Sequence, residues 1–553
     1  MALLLLAPPL DAETADNVAR ALWMPEFDAS ALSPQIAERL ASPKNSNAAF
    51  GKRMRAYLQQ LMKRWQSFVP SYRSRYELFS DTCDELTPHQ AYAMSNLLGE
   101  DTVEGYALLG ETADLQFPRD HRVSLKHQVG WHFFVGTAQA ASGKTYGVEL
   151  MFWQWALLPP PVAAQLGLSD IENQTMEIHL AVTEAGGRHY RAAPLLIAGT
   201  TGLIEIEDQP FRWTIGKNSI QAQNAGELFP LRLQAKGWDR GSAPFAEIAI
   251  DLTFSSGKGI LLQGGNGCAP CCAGIGTLYY SIPRLLIDRA GSSIEINGER
   301  IALVSGTFWM DHQWGTGFLP TGAPTVAPLR AASLLAGPSP GGWDWYPLQF
   351  DDNYEITVAA MHAAKNKEFY FQTGPVAPGV MTVGVAGKMM DPRAVTHDIK
   401  GSLKVTDWVR ATHTNDASYP PSQTWYPNRW EFSFDAPAPE HLREVVMTPV
   451  VSTGQTGYFA NGAEYLEGAT TLSAPSGRSI GTSFAEATAY ADTTKIQARL
   501  AGLSDDEHTL QLLAPVTASP LERLGATLYL LWPPNASELK SVLACCAKNG
   551  LSQ

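Results

Sequence analysis

From about residue 111 to about residue 495, one pattern repeats. Short segments carry apolar residues at every second position, and turns rich in Gly, Ser, Asn and Pro separate them. HRVSLKHQVGWHFFVGTAQAASGKTYGVELMFWQWAL is strand, turn, strand, turning at Ala140-Ala141-Ser142-Gly143-Lys144. MEIHLAVTEAGGRHYRAA, FRWTIGKNSIQAQNA, PLRLQAKG and FAEIAIDLTFSSGKGILLQGG continue the series. A second series runs through NYEITVAAMH, EFYFQTG, AVTHDIKGSLKVTDWVRA, NRWEFSFDAP, REVVMTPVV, EYLEGATTLSA and TSFAEATAYAD. Side chains alternate between the two faces of a strand, so period two with no helix between the segments specifies an all-β sandwich or barrel. The Pro/Gly/Ala/Ser loop at 320–342 is the predicted junction between two β domains, 111–335 and 336–495.

The flanks read differently. Residues 1–110 place apolar side chains three and four apart and predict helices, with Ser33-Pro34 and Thr87-Pro88 as start signals. Between Lys52 and Arg75 that region is basic on one face, with Met, Leu, Trp and Phe opposite. Such a helix either lies on an anionic membrane surface or presents a solvated face while packing on the next domain. Residues 496–553 form a mixed appendix, with a short helix predicted from Ser537 to Gly550.

At 553 residues the chain exceeds one hydrophobic core, so about two to four domains are expected. A net charge of −13 argues against nucleic acid as a partner. MALLLLAPPL lacks a basic start and meets Pro early, and no stretch approaches about eighteen apolar residues. The expectation is a cytoplasmic protein. Six cysteines do not make a disulfide scaffold. Cys268-x-x-Cys271-Cys272 lacks a well-spaced second ligand pair, since Cys545-Cys546 are adjacent. Free thiols in a tight loop are therefore expected rather than a zinc site.

Several motifs match only as text. Ala138-x4-Gly143-Lys144-Thr145 is followed by a strand, whereas a phosphate loop needs a helix there. Gly337-x-Ser339-x-Gly341 has a proline on each side of the serine, which does not suit a nucleophile elbow. His179 and His189 lack a third ligand at useful spacing.

The chemistry concentrates in residues 278–347. Tyr279, Tyr280, Trp309, Asp311, His312, Trp314, Asp344, Trp345 and Tyr346 fall within this one stretch, on segments that alternate like strands. Aromatic surroundings raise the pKa of buried carboxyls by desolvation, and aromatic faces stabilise cations. The alternative is that these are core aromatics beside hydrogen-bonded polar neighbours.

YYSIPRL, FWMDHQWG, GWDWYPLQFDD, YPNRWEF and EYLEG with TSFAEATAY, in that order, resemble the landmarks of the AttH-like lipocalin family. The family includes carotenoid 1,2-hydratases and kievitone hydratase, and fungal decalin-forming Diels–Alderases look similar in fold. The resemblance covers roughly residues 111–495. It implies two calycin-like β domains in tandem, and enzymes that need neither metal nor organic cofactor and act on apolar isoprenoid or polyketide substrates.

For hydration of an alkene the resemblance points to Asp344 as proton donor. It assigns His312 to water activation or to orienting the acid, and Trp314 and Tyr346 to cation stabilisation. Asp311 is the competing acid, with fixing His312 or a turn as its structural alternative. Trp309, Trp345 and Tyr280 complete the expected substrate-binding set. Two other functions stay open at this point: a pericyclase or other cyclase, in which the pocket supplies shape and a hydrogen bond, and a carrier of a lipophilic ligand.

Overall fold

The computed structural model describes residues 105–490, apart from 111, 157–159, 166–168, 194, 200–202, 240, 242–243, 274, 317–342, 362–373, 413–421, 459–463 and 489. The expected N-terminal helices, the basic segment from Lys52 to Arg75, the 335/336 boundary and the C-terminal appendix therefore lie outside the described residues.

The described chain is mainly β. The first sheet comprises β1 (Val129–Ala140), β2 (Thr145–Ala156), β3 (Gln174–Glu184), β4 (His189–Arg191), β5 (Leu195–Ala198), β6 (Ile204–Asp208), β7 (Phe211–Ile215), β8 (Asn218–Ala222), β9 (Leu231–Asp239), β10 (Ala246–Ser256), β11 (Leu261–Leu262), β12 (Cys268–Ala273), β13 (Ile275–Ile287), β14 (Ser293–Ile296) and β15 (Glu299–Thr316). Its main path runs β4-β3-β2-β1-β15-β13-β10-β9-β8-β7-β6. The Ala193 N–H donates to the Trp238 carbonyl at 3.0 Å, which brings the end of β4 against β9 and curls the sheet on itself.

The second sheet comprises β16 (Trp343–Phe350), β17 (Glu355–Met361), β18 (Met381–Met390), β19 (Thr396–Arg410), β20 (Trp425–Phe434), β21 (Glu444–Pro449), β22 (Thr456–Tyr458), β23 (Glu464–Ser473) and β24 (Ser479–Ala487). The order β21-β20-β19-β18-β17-β16-β24-β23, with β23 pairing back onto β21, closes an eight-stranded antiparallel barrel. Closure removes the exposed edges of an open sheet.

Burial separates two kinds of strand. β19 alternates between exposed and buried residues, as expected with one face in the barrel and the other in water. β1 and β2 are buried at nearly every position. One of their faces lines the first sheet's own core, and the other meets the barrel. Val129, Trp131, Phe133, Val135, Met151, Trp153 and Trp309 share one apolar cluster with Trp345, Met390, Ala469 and Phe484 of the barrel. Arg284 on β13 crosses elsewhere, pairing with Glu355 on β17 and donating through its backbone N–H to Gln349 Oε1 at 3.1 Å.

The sheets come close at Gly147 on β2, where an added Cβ would stand 2.2 Å from the Ala469 Cβ. Gly147→Ala is expected to destabilise the protein by about 1–3 kcal/mol through overpacking. Combining it with Ala469→Gly should restore much of the loss. Equal denaturation midpoints for wild type and Gly147→Ala would contradict this contact.

Cys268 is fully buried and disulfide-bonded. This corrects the expected free thiol at that position. Among the described residues, no helix is long and apolar enough to cross a membrane.

Candidate functional site

The FWMDHQWG segment lies within β15, and strand alternation divides it. Phe308, Met310, His312 and Trp314 point to one face. Trp309, Asp311 and Gln313 point to the other, toward the barrel. The register extends the division across the sheet: Ser281, Asp311, Phe133 and Met151 stand in one row, and Tyr280, His312 and His132 in the next.

On the barrel-facing side Asp311 is 3% exposed and fully engaged. The Trp309 indole N–H donates to Oδ1 at 2.6 Å, Ser281 donates to the same oxygen, and Tyr279 donates to Oδ2. Burial pushes the carboxyl up to about 7, although the three donors oppose the shift. Tyr279 is itself held well above the usual phenol range by burial and by the neighbouring Asp311, so its hydroxyl stays a donor. The surroundings are aromatic. Trp131 and Trp153 stack at 4.4 Å between centroids, and Trp345 meets Phe133 and Trp309 edge-on at 5.7 and 6.2 Å.

The barrel contributes β16, β23 and β24 to this interface. Trp345 lies opposite Glu486, and Glu486 lies opposite Glu467, in a single row across the three strands. Glu486 is half-buried but closely ringed by protein, and burial pushes it up to about 8, against a hydrogen bond from Trp343. Tyr279, Trp155 and Trp343 are also half-buried, whereas Asp311, Trp309 and Glu467 are buried. Depth therefore increases from a rim at Glu486 and Trp343 to the acids inside.

Beside this row a charged network joins the two sheets. Arg191 pairs with Glu149 and with the Tyr465 hydroxyl of the barrel, and donates to His179 Nδ1 at 3.2 Å. His179 Nε2 in turn donates to Glu177 at 2.7 Å. Gly457 makes room for Arg191, since a Cβ there would lie 2.3 Å from the guanidinium carbon.

On the opposite face of β15, His312 stacks on His132 at 3.7 Å and on Trp314 at 4.2 Å. Its nitrogens lie 2.9 and 3.1 Å from the Trp131 and Arg122 carbonyls. Two carbonyl acceptors favour an imidazolium, yet burial pushes His312 down to about 3. Burial prevails in an apolar stack beside a second histidine, so the ring is neutral and donates from one nitrogen only. Tyr280 belongs to this cluster, its hydroxyl 2.7 Å from His121 Nδ1.

The residues singled out in the sequence thus fall in three places. Asp311, Trp309 and Trp345 meet between the sheets. His312, Trp314 and Tyr280 lie inside the first sheet. Tyr346 belongs to the barrel's core cluster, and Asp344, fully buried, accepts from the Tyr490 hydroxyl at 3.0 Å. Sequence reasoning missed Tyr279 as a donor to Asp311, and it missed Glu467, Glu486, Glu149 and Arg191 altogether. The available signal was an ionisable residue at an alternate position inside an otherwise apolar strand, as in EYLEG and SFAEA.

No curated protein sequence matches the chain. Among solved structures, the fold is similar to that of a putative AttH from Nitrosomonas europaea, at 19% identity and a TM-score of 0.47, covering 69% of this chain and all of that one. It is also similar to kievitone hydratase from Nectria haematococca, at 11% identity and a TM-score of 0.44, covering 70% of this chain and 98% of that one. The AttH-like family profile matches residues 109–490, most of the chain and nearly all of its described part, and the protein belongs to the AttH-like family.

Proposed function

We propose that this protein is a cofactor-independent hydro-lyase that adds water to, or removes it across, a carbon–carbon double bond of an apolar substrate held between the two sheets. The observation that carries this reading is Asp311. It is a buried carboxyl, pushed up to about 7 by its burial and surrounded by Trp309, Trp345, Phe133 and the Trp131–Trp153 stack. Hydration passes through a carbocation, which aromatic faces stabilise, and needs a buried group to exchange a proton with water. Asp311 suits the second task better than Asp344 because it faces the aromatic space, whereas Asp344 faces Tyr490. With three donors holding its ionised form, Asp311 is suited to take the proton of the attacking water. Such apolar, aromatic surroundings suit a terpenoid or polyketide chain better than a polar substrate.

The test is incubation with a panel of acyclic terpenoids and polyenes in H₂¹⁸O. The expected product gains one labelled oxygen with the wild type and with Asp344→Asn, but not with Asp311→Asn. An isomeric product without label would replace the hydratase by a cyclase. A co-purified lipid with no turnover would replace it by a carrier.

A further inference from the structure

Hydration needs a second group, an acid that gives its proton to carbon, and Asp311 with three incoming hydrogen bonds does not fill that role. Glu467 has the opposite environment. It is 1% exposed, and neither of its carboxyl oxygens has a hydrogen-bond partner among the described residues. The Trp345 indole N–H, in the same row and also buried, has no partner either. A buried carboxyl without a partner is costly to keep in a folded protein unless it is neutral and has a use.

Its neighbours set its protonation. Glu486 stands directly opposite, and Glu149 and Asp311 add negative charge from the first sheet, with Arg191 the opposing cation. Burial, reinforced by these carboxyls, holds Glu467 well above the usual carboxylate range. Glu486 is the member of the pair nearer to solvent.

We infer that Glu467 is the catalytic acid that protonates the substrate carbon, and that Glu486 is a positioning residue that passes protons to it from the rim. This rests on the hydratase reading and assigns the second role at the same site. In the forward direction, the π electrons of the alkene form a C–H bond with the Glu467 proton, leaving a carboxylate. Water oxygen then bonds to the resulting cation and yields its proton to Asp311. Asp311 returns that proton to solvent, and Glu486 delivers one from solvent to Glu467. The sum is alkene plus water to alcohol.

The active form holds Asp311 ionised and Glu467 protonated, so turnover follows a bell-shaped pH profile. Replacing Glu486 by Gln removes a like charge beside Glu467 and moves the alkaline limb to lower pH.

The experiment uses the full chain and whichever panel alkene the wild type hydrates. Glu467→Gln is expected to lose about a hundredfold or more in kcat with little change in KM. It should also lose the infrared carbonyl stretch of a protonated carboxylic acid. Glu486→Gln, which cannot relay a proton, is expected to lower kcat less than Glu467→Gln does and to shift the alkaline limb downward. If Glu467→Gln fails to fold, Glu467→Asp, with the acid retracted by one methylene, is expected to give an intermediate rate. Wild-type hydration with an unimpaired Glu467 variant would overturn this role alone. Wild-type inactivity across the whole panel would overturn the hydratase reading and this role with it.

Discussion

Asp311→Asn is expected to lose turnover by about two to four orders of magnitude while becoming more stable at alkaline pH. The two effects share one cause. Folding moves the Asp311 carboxyl from an ordinary value of 3.8 up to about 7. Between those values the folded protein binds more protons than the unfolded chain, so stability falls as pH rises. The penalty is absent below about 4, grows through about 7, and is constant above. Its full size is roughly 4 kcal/mol, at about 1.4 kcal/mol for each tenfold change in proton affinity. Asparagine keeps the shape and can still accept from Trp309 and Ser281, but it cannot ionise. The difference in Tm between Asp311→Asn and wild type should therefore increase from pH 5 to pH 8. Turnover should be reduced to that extent in the variant at every pH. A Tm difference independent of pH would show that the carboxyl is not held in this unfavourable form. Full activity in the variant would remove Asp311 from the reaction.

Much of the fold was legible in the sequence because period-two patterning is local. The hairpin at residues 140–144 needs only its own residues: the Gly143 N–H donates to the Ala140 carbonyl, and Gly143 takes a positive φ of 83° that suits glycine. The candidate site was less legible because it is not local. FWMDHQWG reads as one cluster along the chain, but a strand sends neighbouring side chains to opposite faces. Asp311 therefore looks into the space between the sheets while His312 looks into the first sheet's core. The Asp344 expectation met the same rule: Trp343 and Trp345 flank Asp344 in sequence, yet both belong to the interface cluster while Asp344 pairs with Tyr490. Glu467 and Glu486 come from the far end of the chain. Their meeting depends on the β23–β24 register and on barrel closure, which no single segment encodes.

Arg191→Met is expected to cost about 3–5 kcal/mol, the usual penalty for leaving one half of a buried ion pair behind. Arg191 is 2% exposed and is paired with Glu149, which is 1% exposed, and it also reaches the Tyr465 hydroxyl on the barrel. Its loss therefore weakens the contact between the sheets and leaves a carboxyl without its cation. Burial already holds Glu149 above its ordinary value of 4.5, with Arg191 opposing that shift. Without Arg191 the folded value rises further. The added penalty is then small near pH 5, where Glu149 is protonated in the variant, and grows as pH climbs and the unfolded chain alone releases the proton. Denaturant midpoints at pH 5.5 and pH 8 should separate progressively from wild type. Glu149→Gln added to Arg191→Met should recover part of the loss at pH 8 and little at pH 5.5, because a neutral amide has no proton to retain. Equal losses at both pH values, with no rescue, would mean that Arg191 contributes through packing on Tyr465 rather than through charge. Glu467 gives the same substitution a second consequence, because Arg191 is the cation that opposes the upward shift of that carboxyl. Removing it should move the alkaline limb of turnover to higher pH, opposite to the shift expected for Glu486→Gln. The two variants displace one limb in opposite directions only if a single buried acid, flanked by a cation on one side and a carboxyl on the other, governs it.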